Sequence, residues 1–388
     1  MKNLLQQELV RMNSEILKVM NSLFRKKIVI YPFNQAAINL RNFIENASSV
    51  KVDFFLDKEP SADKNQNTPV VNFFDFADSY ENKEDYIVLL ANKDSWWVDL
   101  WDIQWVGISD ERILNYMQFS YYLFLQLAED YKSKGVKQEI LYKPKNTALL
   151  KFLSKFKTSY ELFEDEKSKK IFLRLLLKKI YSCEFFFDVL SQDAQYFEKD
   201  IINLNDKEVF FDCGGYDGDT SSIFIEKTEG KYERIFFFEP SLKPFKNAID
   251  KLKDYNNITF LNVGLYDKNG SISFINTEMG ASFIEEAYVL KDNKESFKTT
   301  QTVIVGDKLE IKPTFIKMDL EGSEISALKG LKKTISKYSP KLAISVYHKD
   351  SDLYKIPQLI KKYNENYKLY LRHYSSTGAE TVCYAIPK

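Results

Sequence analysis

The segment Glu208-Val-Phe-Phe-Asp-Cys-Gly-Gly-Tyr-Asp-Gly-Asp-Thr220 constrains this chain more than any other. Val209, Phe210 and Phe211 are the β-branched and aromatic run of a strand buried on both faces of a parallel sheet. Gly214, Gly215 and Gly218 then let the backbone turn sharply and approach a ligand closely. A helix opening near Asp219 or Thr220 presents free N–H groups to the crevice at the strand's carboxyl end, where open α/β sheets bind their ligands. An α/β fold with a ligand in that crevice is the expectation.

The spacing narrows the ligand. A dinucleotide fingerprint reads G-x-G-x-x-G, whereas here Asp212 closes the strand and Gly214-Gly215-x-x-Gly218 follows, with Asp217 and Asp219 adding negative charge. Those carboxylates repel a pyrophosphate. They suit S-adenosylmethionine, which carries a sulfonium and an amino group and no phosphate. Some way on, Arg234-Ile-Phe-Phe-Phe-Glu239-Pro240 reads as a second buried strand ending in a carboxylate. Glu239 is placed to take both ribose hydroxyls, as acidic residues do at this point of nucleotide-binding βαβ units.

Further along, Phe315-Ile-Lys317-Met leads into Asp319-Leu-Glu-Gly322-Ser-Glu324 and then Ala327-Leu-Lys-Gly330. This resembles the I-K-x-D-x-E-G-x-E-x-x-x-L-x-G block of FkbM-type methyltransferases. Gln195-Tyr-Phe197, Asn262-Val-Gly-Leu265 with Gly270, and Ile344-Ser-Val-Tyr-His348 are similar to other blocks of that family, in the same order. The resemblance runs over about residues 160 to 388. It implies a class I methyltransferase fold, a Rossmann-like seven-stranded sheet, and S-adenosylmethionine-dependent O-methylation, often of sugars or polyketide hydroxyls. Read independently, strands are expected near 208–213, 234–239, 258–263, 315–319, 341–347, 367–374 and 380–386, with a β-hairpin across 271–276. The loop from Ser375 to Ala379 is too short for a parallel crossover, so the last two strands are expected to be antiparallel.

For the cofactor, the expected set is Tyr196 and Phe197 as a wall over the nucleoside and Asp212, Gly214 and Gly218 at the methionine end. Gly215 and Thr220 complete the turn, and the Tyr216 hydroxyl is able to face the methyl group. Glu239 with Pro240 serves the ribose, Asn262, Val263 and Gly264 border the adenine, and Ser282 matches a small-residue block of the family. Methyl transfer to a hydroxyl also requires removal of a proton. Histidine, with an ordinary pKa of about 6.5, is the usual base, and the chain has two. His348 closes a strand at its carboxyl end and is the better candidate; His373 reads equally as a core residue. The resemblance implies active-site roles for Asp319 and Glu321 at the end of the fourth strand, acting with Lys317. Two neighbouring carboxylates invite a metal, yet no further aligned ligands are identifiable from the sequence, and none is expected.

The balance of 55 Lys and Arg against 55 Asp and Glu gives no electrostatic reason to expect a nucleic-acid partner. Cys183, Cys213 and Cys383 are widely spaced and odd in number, which suits neither a disulfide framework nor a CxxC metal site. Met1 to Phe24 reads as an amphipathic helix rather than a signal peptide, and no run approaches the about 18 apolar residues of a membrane span. A cytoplasmic enzyme is expected.

The amino-terminal region, residues 1–110, has its own α/β signature: a strand at Lys27–Tyr31, a helix from Gln35 to Glu45, and strands at Val50–Leu56 and Tyr86–Leu90. Its first turn, Pro32-Phe-Asn-Gln35, lacks glycine, so a degenerate Rossmann-like module for acceptor recognition or assembly fits better than a phosphate site. Trp96, Trp97, Trp101 and Trp105 follow within ten residues. They read either as a stacking platform for a sugar or base or as a packing seam, and packing is favoured. Residues 111–205 read as a helical connector that bridges the domains or supports a homodimer, and 206–388 as the methyltransferase domain. The expected acceptor is a sugar hydroxyl, plausibly on a nucleotide-linked precursor of bacterial surface polysaccharide. A polymer, a lipid-linked glycan, another small metabolite, or a non-catalytic binding role stay open.

Overall fold

The structure is a computed structural model and describes residues 1–23, 25–47, 51–60, 68–80, 82–92, 96–109, 112–115, 144–181, 189–277, 280–283, 298–375 and 378–388. Two compact units divide the chain: Lys2–Leu150 with Leu173–Asp188, and Lys151–Phe172 with Val189–Lys388.

The amino-terminal unit begins with helix α1 (Lys2–Leu23), where an amphipathic helix is expected. Strand β1 (Lys27–Tyr31), helix α2 (Gln35–Ala47), strand β2 (Phe54–Asp57), strand β3 (Val70–Asn72), helix α3 (Phe73–Ser79), strand β4 (Tyr86–Leu90), helix α4 (Trp96–Trp105) and strand β5 (Ile113–Asn115) follow. All five strands are parallel, in the order β3-β2-β1-β4-β5. The run starting at Val50 enters the sheet only at Phe54. Asn34, in the glycine-free turn after β1, caps α2 by accepting the Ala37 N–H at 2.9 Å. Helix α4 lies along the carboxyl edge of this sheet. Its Asp99 accepts from Asn92 beyond β4 at 2.8 Å, and its Asp102 accepts from Tyr31 at the end of β1 at 2.7 Å and from Lys58 beyond β2 at 2.6 Å. Trp105 stacks on Phe73 at the end of β3, 6.2 Å between centroids. The side chains of Trp96, Trp97 and Trp101 lie outside the described residues.

The second unit begins with helices α5 (Leu153–Tyr160) and α6 (Glu166–Tyr181), the latter passing into the first unit at Leu173. Much of 111–205, namely 116–143 and 182–188, lies outside the described residues, and Cys183 with it. Residues 189–205 carry no regular helix or strand beyond an isolated bridge of Leu190 to His373. The sheet that follows has seven strands: β6 (Val209–Cys213), β7 (Arg234–Phe238), β8 (Ile258–Leu261), β13 (Phe315–Met318), β14 (Lys341–Ser345), β15 (Lys368–His373) and β16 (Thr381–Ile386). Their order is β15-β16-β14-β13-β6-β7-β8, with β16 antiparallel to both its neighbours. This is the class I methyltransferase arrangement that the sequence implies.

Helices α7 (Asp219–Lys227), α8 (Leu242–Leu252), α9 (Glu324–Gly330), α10 (Lys332–Tyr338) and α11 (Asp352–Tyr363) connect these strands. Phe210 on β6 stacks between Phe224 of α7 at 4.4 Å and Phe315 of β13 at 5.0 Å, while Phe211 meets Phe236 and Phe238 of β7. Successive residues of one strand thus fill the two faces of the sheet, as a doubly covered parallel sheet requires.

A second sheet, in the order β11-β10-β12-β9, contains β9 (Gly264–Tyr266), β10 (Gly270–Thr277), β11 (Gly280–Phe283) and β12 (Lys298–Val305). It corrects the hairpin expected across 271–276. Those residues form one continuous strand, β10, and the turn to its antiparallel partner comes after Thr277. Among the described residues, no helix is long and apolar enough to cross a membrane.

Candidate active site

The glycine turn after β6 is drawn down onto its neighbours. Gly214 and Gly215 both donate to the Phe238 carbonyl of β7, at 2.9 and 3.0 Å. Gly214 has φ +76°, and a Cβ there would lie 1.8 Å from the Asp319 carbonyl oxygen; at Gly215 it would lie 2.1 Å from the Phe237 ring. Neither position tolerates a side chain without backbone or core movement. Tyr216, at the crest, also has positive φ and is 61% exposed. Gly218, at φ +85°, starts α7, where the Thr220 N–H and hydroxyl are both held by Asp219 Oδ1.

Beneath the turn lies a buried ion pair. Asp212 and Lys317 are register partners on β6 and β13, with Lys317 Nζ 3.2 Å from Asp212 Oδ1. Ser221 donates to Asp212 Oδ2 at 2.6 Å, and Lys317 Nζ donates to the Gly214 carbonyl at 2.7 Å. Burial pushes the Lys317 pKa down, but the charges of Asp212 and Asp319 outweigh it and hold the ammonium form. Asp212, at 0% exposure, thus faces its neighbours rather than the crevice, and Lys317 secures the turn from below. Both residues are buried and paired with each other beneath the turn.

Glu239, directly after β7, accepts the Tyr216 N–H at 3.1 Å on Oε2 and the Ser241 N–H at 2.7 Å on Oε1. Burial raises its pKa against the pull of these backbone donors. Each oxygen retains a lone pair, so the carboxylate is oriented and still able to accept. Asn262 donates to the Glu239 and Pro240 carbonyls at 2.8 and 3.2 Å, while Val263 bonds Leu261. Gly264 opens β9 against Val303, with Pro240 beside it. Ser282 stands on β11 opposite Ile275, and its side chain lies outside the described residues. Phe197 is not at the crevice: it packs in the core against Phe210, Phe224 and Phe315.

The carboxyl ends of β13 and β14 bring the remaining candidates together. Tyr196, in a positive-φ conformation, donates to Asp319 Oδ2 at 2.7 Å, and the Tyr347 hydroxyl lies 3.4 Å from both Asp319 oxygens. His348 Nε2 lies 3.4 Å from Asp319 Oδ1 and 3.6 Å from Glu321 Oε2, and Nδ1 lies 2.9 Å from Glu324 Oε1. Burial works against the imidazolium, but Glu324, Asp319 and Glu321 prevail and push the His348 pKa up to about 9. Burial, with Asp319 and Glu324 added and His348 opposing, pushes Glu321 up to about 7. Three carboxylates thus surround His348 and favour its protonated form over the neutral one anticipated from the sequence. His373, by contrast, is fully buried on β15, 2.8 Å from the Thr381 hydroxyl.

Glu324 belongs to this group, though the sequence alone shows it only as part of a motif. Its signal is the three-residue step from Glu321 across Gly322, which turns the chain and carries the first residue of α9 back under the site. The Leu320 and Gly322 N–H groups both donate to its Oε1, at 2.8 and 3.3 Å.

Residues 212–369 match the family model described as Methyltransferase FkbM domain. Over its whole length the chain is similar in structure to the methyltransferase FkbM from Methylobacillus flagellatus KT: 21% identity, 97% of this chain and 99% of that chain covered, TM-score 0.57. A putative rRNA methylase from Clostridium thermocellum aligns over 47% of this chain and 86% of its own at 11% identity, TM-score 0.31. Fibrillarin from Aeropyrum pernix aligns over 48% and 71% at 12% identity, TM-score 0.30. Among curated proteins none matches.

Proposed function

With an FkbM-type methyltransferase domain over residues 212–369, we propose that this protein methylates a hydroxyl oxygen of a sugar, with a nucleotide-linked precursor of bacterial surface polysaccharide as the favoured acceptor. The methyl donor is S-adenosylmethionine, which supplies an electrophilic methyl carbon on a sulfonium. The residues present suit it. Glu239 is oriented by two backbone N–H groups and keeps acceptor capacity for ribose hydroxyls. Asp219 and Asp319 border the turn, while Asp217 is paired with Lys251 and Lys317 with Asp212, so the local charge favours a cationic ligand over a phosphate. In this reading Gly214, Gly215 and Gly218 shape the turn, Tyr216 overhangs it, and Asn262, Val263 and Gly264 border the base.

The observation that carries the hydroxyl assignment is the group of Asp319, Glu321, Glu324 and His348, beside the glycine turn whose Gly214 abuts Asp319. A hydroxyl acceptor must lose a proton, and a general base must lie within hydrogen-bond reach of it. Where three carboxylates surround one imidazole, the group free to accept that proton is a carboxylate. Glu321, half exposed, is the one that reaches solvent. His348 then orients the carboxylates. Tyr196 and Tyr347 fix Asp319. The first unit, whose sheet edge is covered by its own α4, serves acceptor recognition or assembly.

Mass spectrometry of the purified protein with S-adenosylmethionine and a panel of nucleotide-linked sugars tests this reading. A one-methyl mass gain on a nucleotide sugar, with matching S-adenosylhomocysteine, is the expected result. Cofactor binding without a product would shift the acceptor to a polymer or lipid-linked glycan. Absence of cofactor binding would remove the proposal.

A further inference from the structure

We propose that Asp319, Glu324 and His348 form a binding site for a divalent cation of the Mn2+ type. One donor atom from each lies within 4.8 Å of the other two. Ligands bound at about 2.1–2.2 Å to one ion and roughly at right angles stand about 3 Å apart, close to the 3.4 Å between His348 Nε2 and Asp319 Oδ1.

What distinguishes this group from an ordinary acidic cluster is how its donors are used. Each carboxylate has one oxygen firmly held by a neighbouring donor and one with weak or no hydrogen bonding. Tyr196 holds Asp319 Oδ2 at 2.7 Å, whereas Oδ1 has only the longer 3.4 Å contact of the Tyr347 hydroxyl and lies 3.4 Å from His348 Nε2. The Leu320 and Gly322 N–H groups hold Glu324 Oε1, while Glu324 Oε2 has no hydrogen-bond partner although the residue is 0% exposed. The His348 side chain is about nine-tenths buried, and neither ring nitrogen makes an aligned hydrogen bond, despite the 2.9 Å approach of Nδ1 to Glu324. Buried polar atoms left without partners are costly and uncommon in folded proteins. Outer donors that fix ligating carboxylates, as Tyr196 and the Leu320 and Gly322 N–H groups do for Asp319 and Glu324, are the usual second shell of a metal site.

Two carboxylates and an imidazole combine hard oxygen with a borderline nitrogen, a set that suits Mn2+, with Mg2+ as the harder competitor. Three protein ligands leave coordination positions for oxygen. On the methyltransferase reading above, on which only this role rests, those positions receive hydroxyls of the acceptor. Glu321, 3.6 Å from His348 Nε2, stays outside the ligand set as a proton acceptor.

The test is titration of the full chain, stripped with chelator, with Mn2+ alone, following the free ion by electron paramagnetic resonance. A single site is expected, weakened at least about tenfold by Glu324→Gln and by His348→Asn. The amide of Glu324→Gln keeps an oxygen for the two backbone N–H donors, so the fold is preserved; Asp319→Asn replaces either variant if thermal unfolding shows it is not folded. No Mn2+ bound by the wild type, or equal affinity in the folded variants, overturns the proposal. S-adenosylhomocysteine affinity, measured on the same samples, reports on the methyltransferase reading separately.

Discussion

Residue by residue, the site divides into groups that face the crevice and groups that hold it up. On the proposed reading, Glu239 belongs to the first kind. Its replacement by Ala removes an oriented carboxylate from the expected ribose position, a loss of about 1.5–3 kcal/mol for hydrogen bonds to a charged group, or roughly ten- to a hundredfold in cofactor affinity. Calorimetric titration with S-adenosylhomocysteine measures this, and unchanged affinity would remove Glu239 from the site. Lys317 belongs to the second kind. Lys317→Met leaves Asp212 charged and buried without its partner, which should cost about 3–5 kcal/mol of stability in denaturant unfolding. Adding Asp212→Asn should restore much of it, because the orphaned charge is then gone; a single variant as stable as the wild type would show that the pair does not hold the turn. Glu239 is legible in the sequence because a carboxylate at a strand's end has one obvious direction to face. Lys317, Asp212 and Phe197 are not, because a residue's face depends on strand register and on packing of the segment before β6. A linear pattern does not carry that information.

Among the elements, legibility follows length and burial. The seven strands of the large sheet are apolar runs of four to six residues, and the sequence places them to within two residues. β3 and β5, three residues each, are too short to show any period, and β10 reads as a hairpin only because its turn lies beyond Thr277. Helix α4 is visible as a tryptophan cluster, but its position along the carboxyl edge of the first sheet depends on Asp99, Asp102 and Trp105 meeting partners distant in sequence. That position has a consequence in pH. Burial, with Asp102 adding and Asn92 and Lys58 opposing, raises the Asp99 pKa to about 6. A carboxyl whose folded pKa lies above its unfolded value of about 3.9 contributes stability that is full below the lower value and is lost as pH rises through the upper one. Between about pH 4 and pH 6 the first unit should therefore lose stability through this group, and Asp99→Asn should flatten that slope. Parallel unfolding curves for wild type and variant across that range would show that Asp99 titrates as an exposed carboxyl and that α4 does not bury it.

Taken entire, the chain carries a parallel five-stranded sheet and a mostly parallel seven-stranded one, and each has a carboxyl edge of the kind that binds nucleotides in doubly wound folds. The turn after the first strand of each sheet separates them. After β6 come three glycines within five residues, two of them at positive φ, and the turn's Tyr216 N–H is held by Glu239. After β1 comes Pro32-Phe-Asn with no glycine, and the carboxyl edge is occupied by α4, whose Asp99 and Asp102 take the polar groups of Asn92, Tyr31 and Lys58. A ligand entering there would have to displace α4 and break those bonds. S-adenosylmethionine should accordingly bind with a stoichiometry of one per chain, and Glu239→Ala should weaken that single binding event rather than leave a second one intact. Calorimetry on the full chain decides it. Two equivalents, or a residual site indifferent to Glu239, would mean that α4 leaves the edge in solution and that the amino-terminal sheet is a cofactor site in its own right.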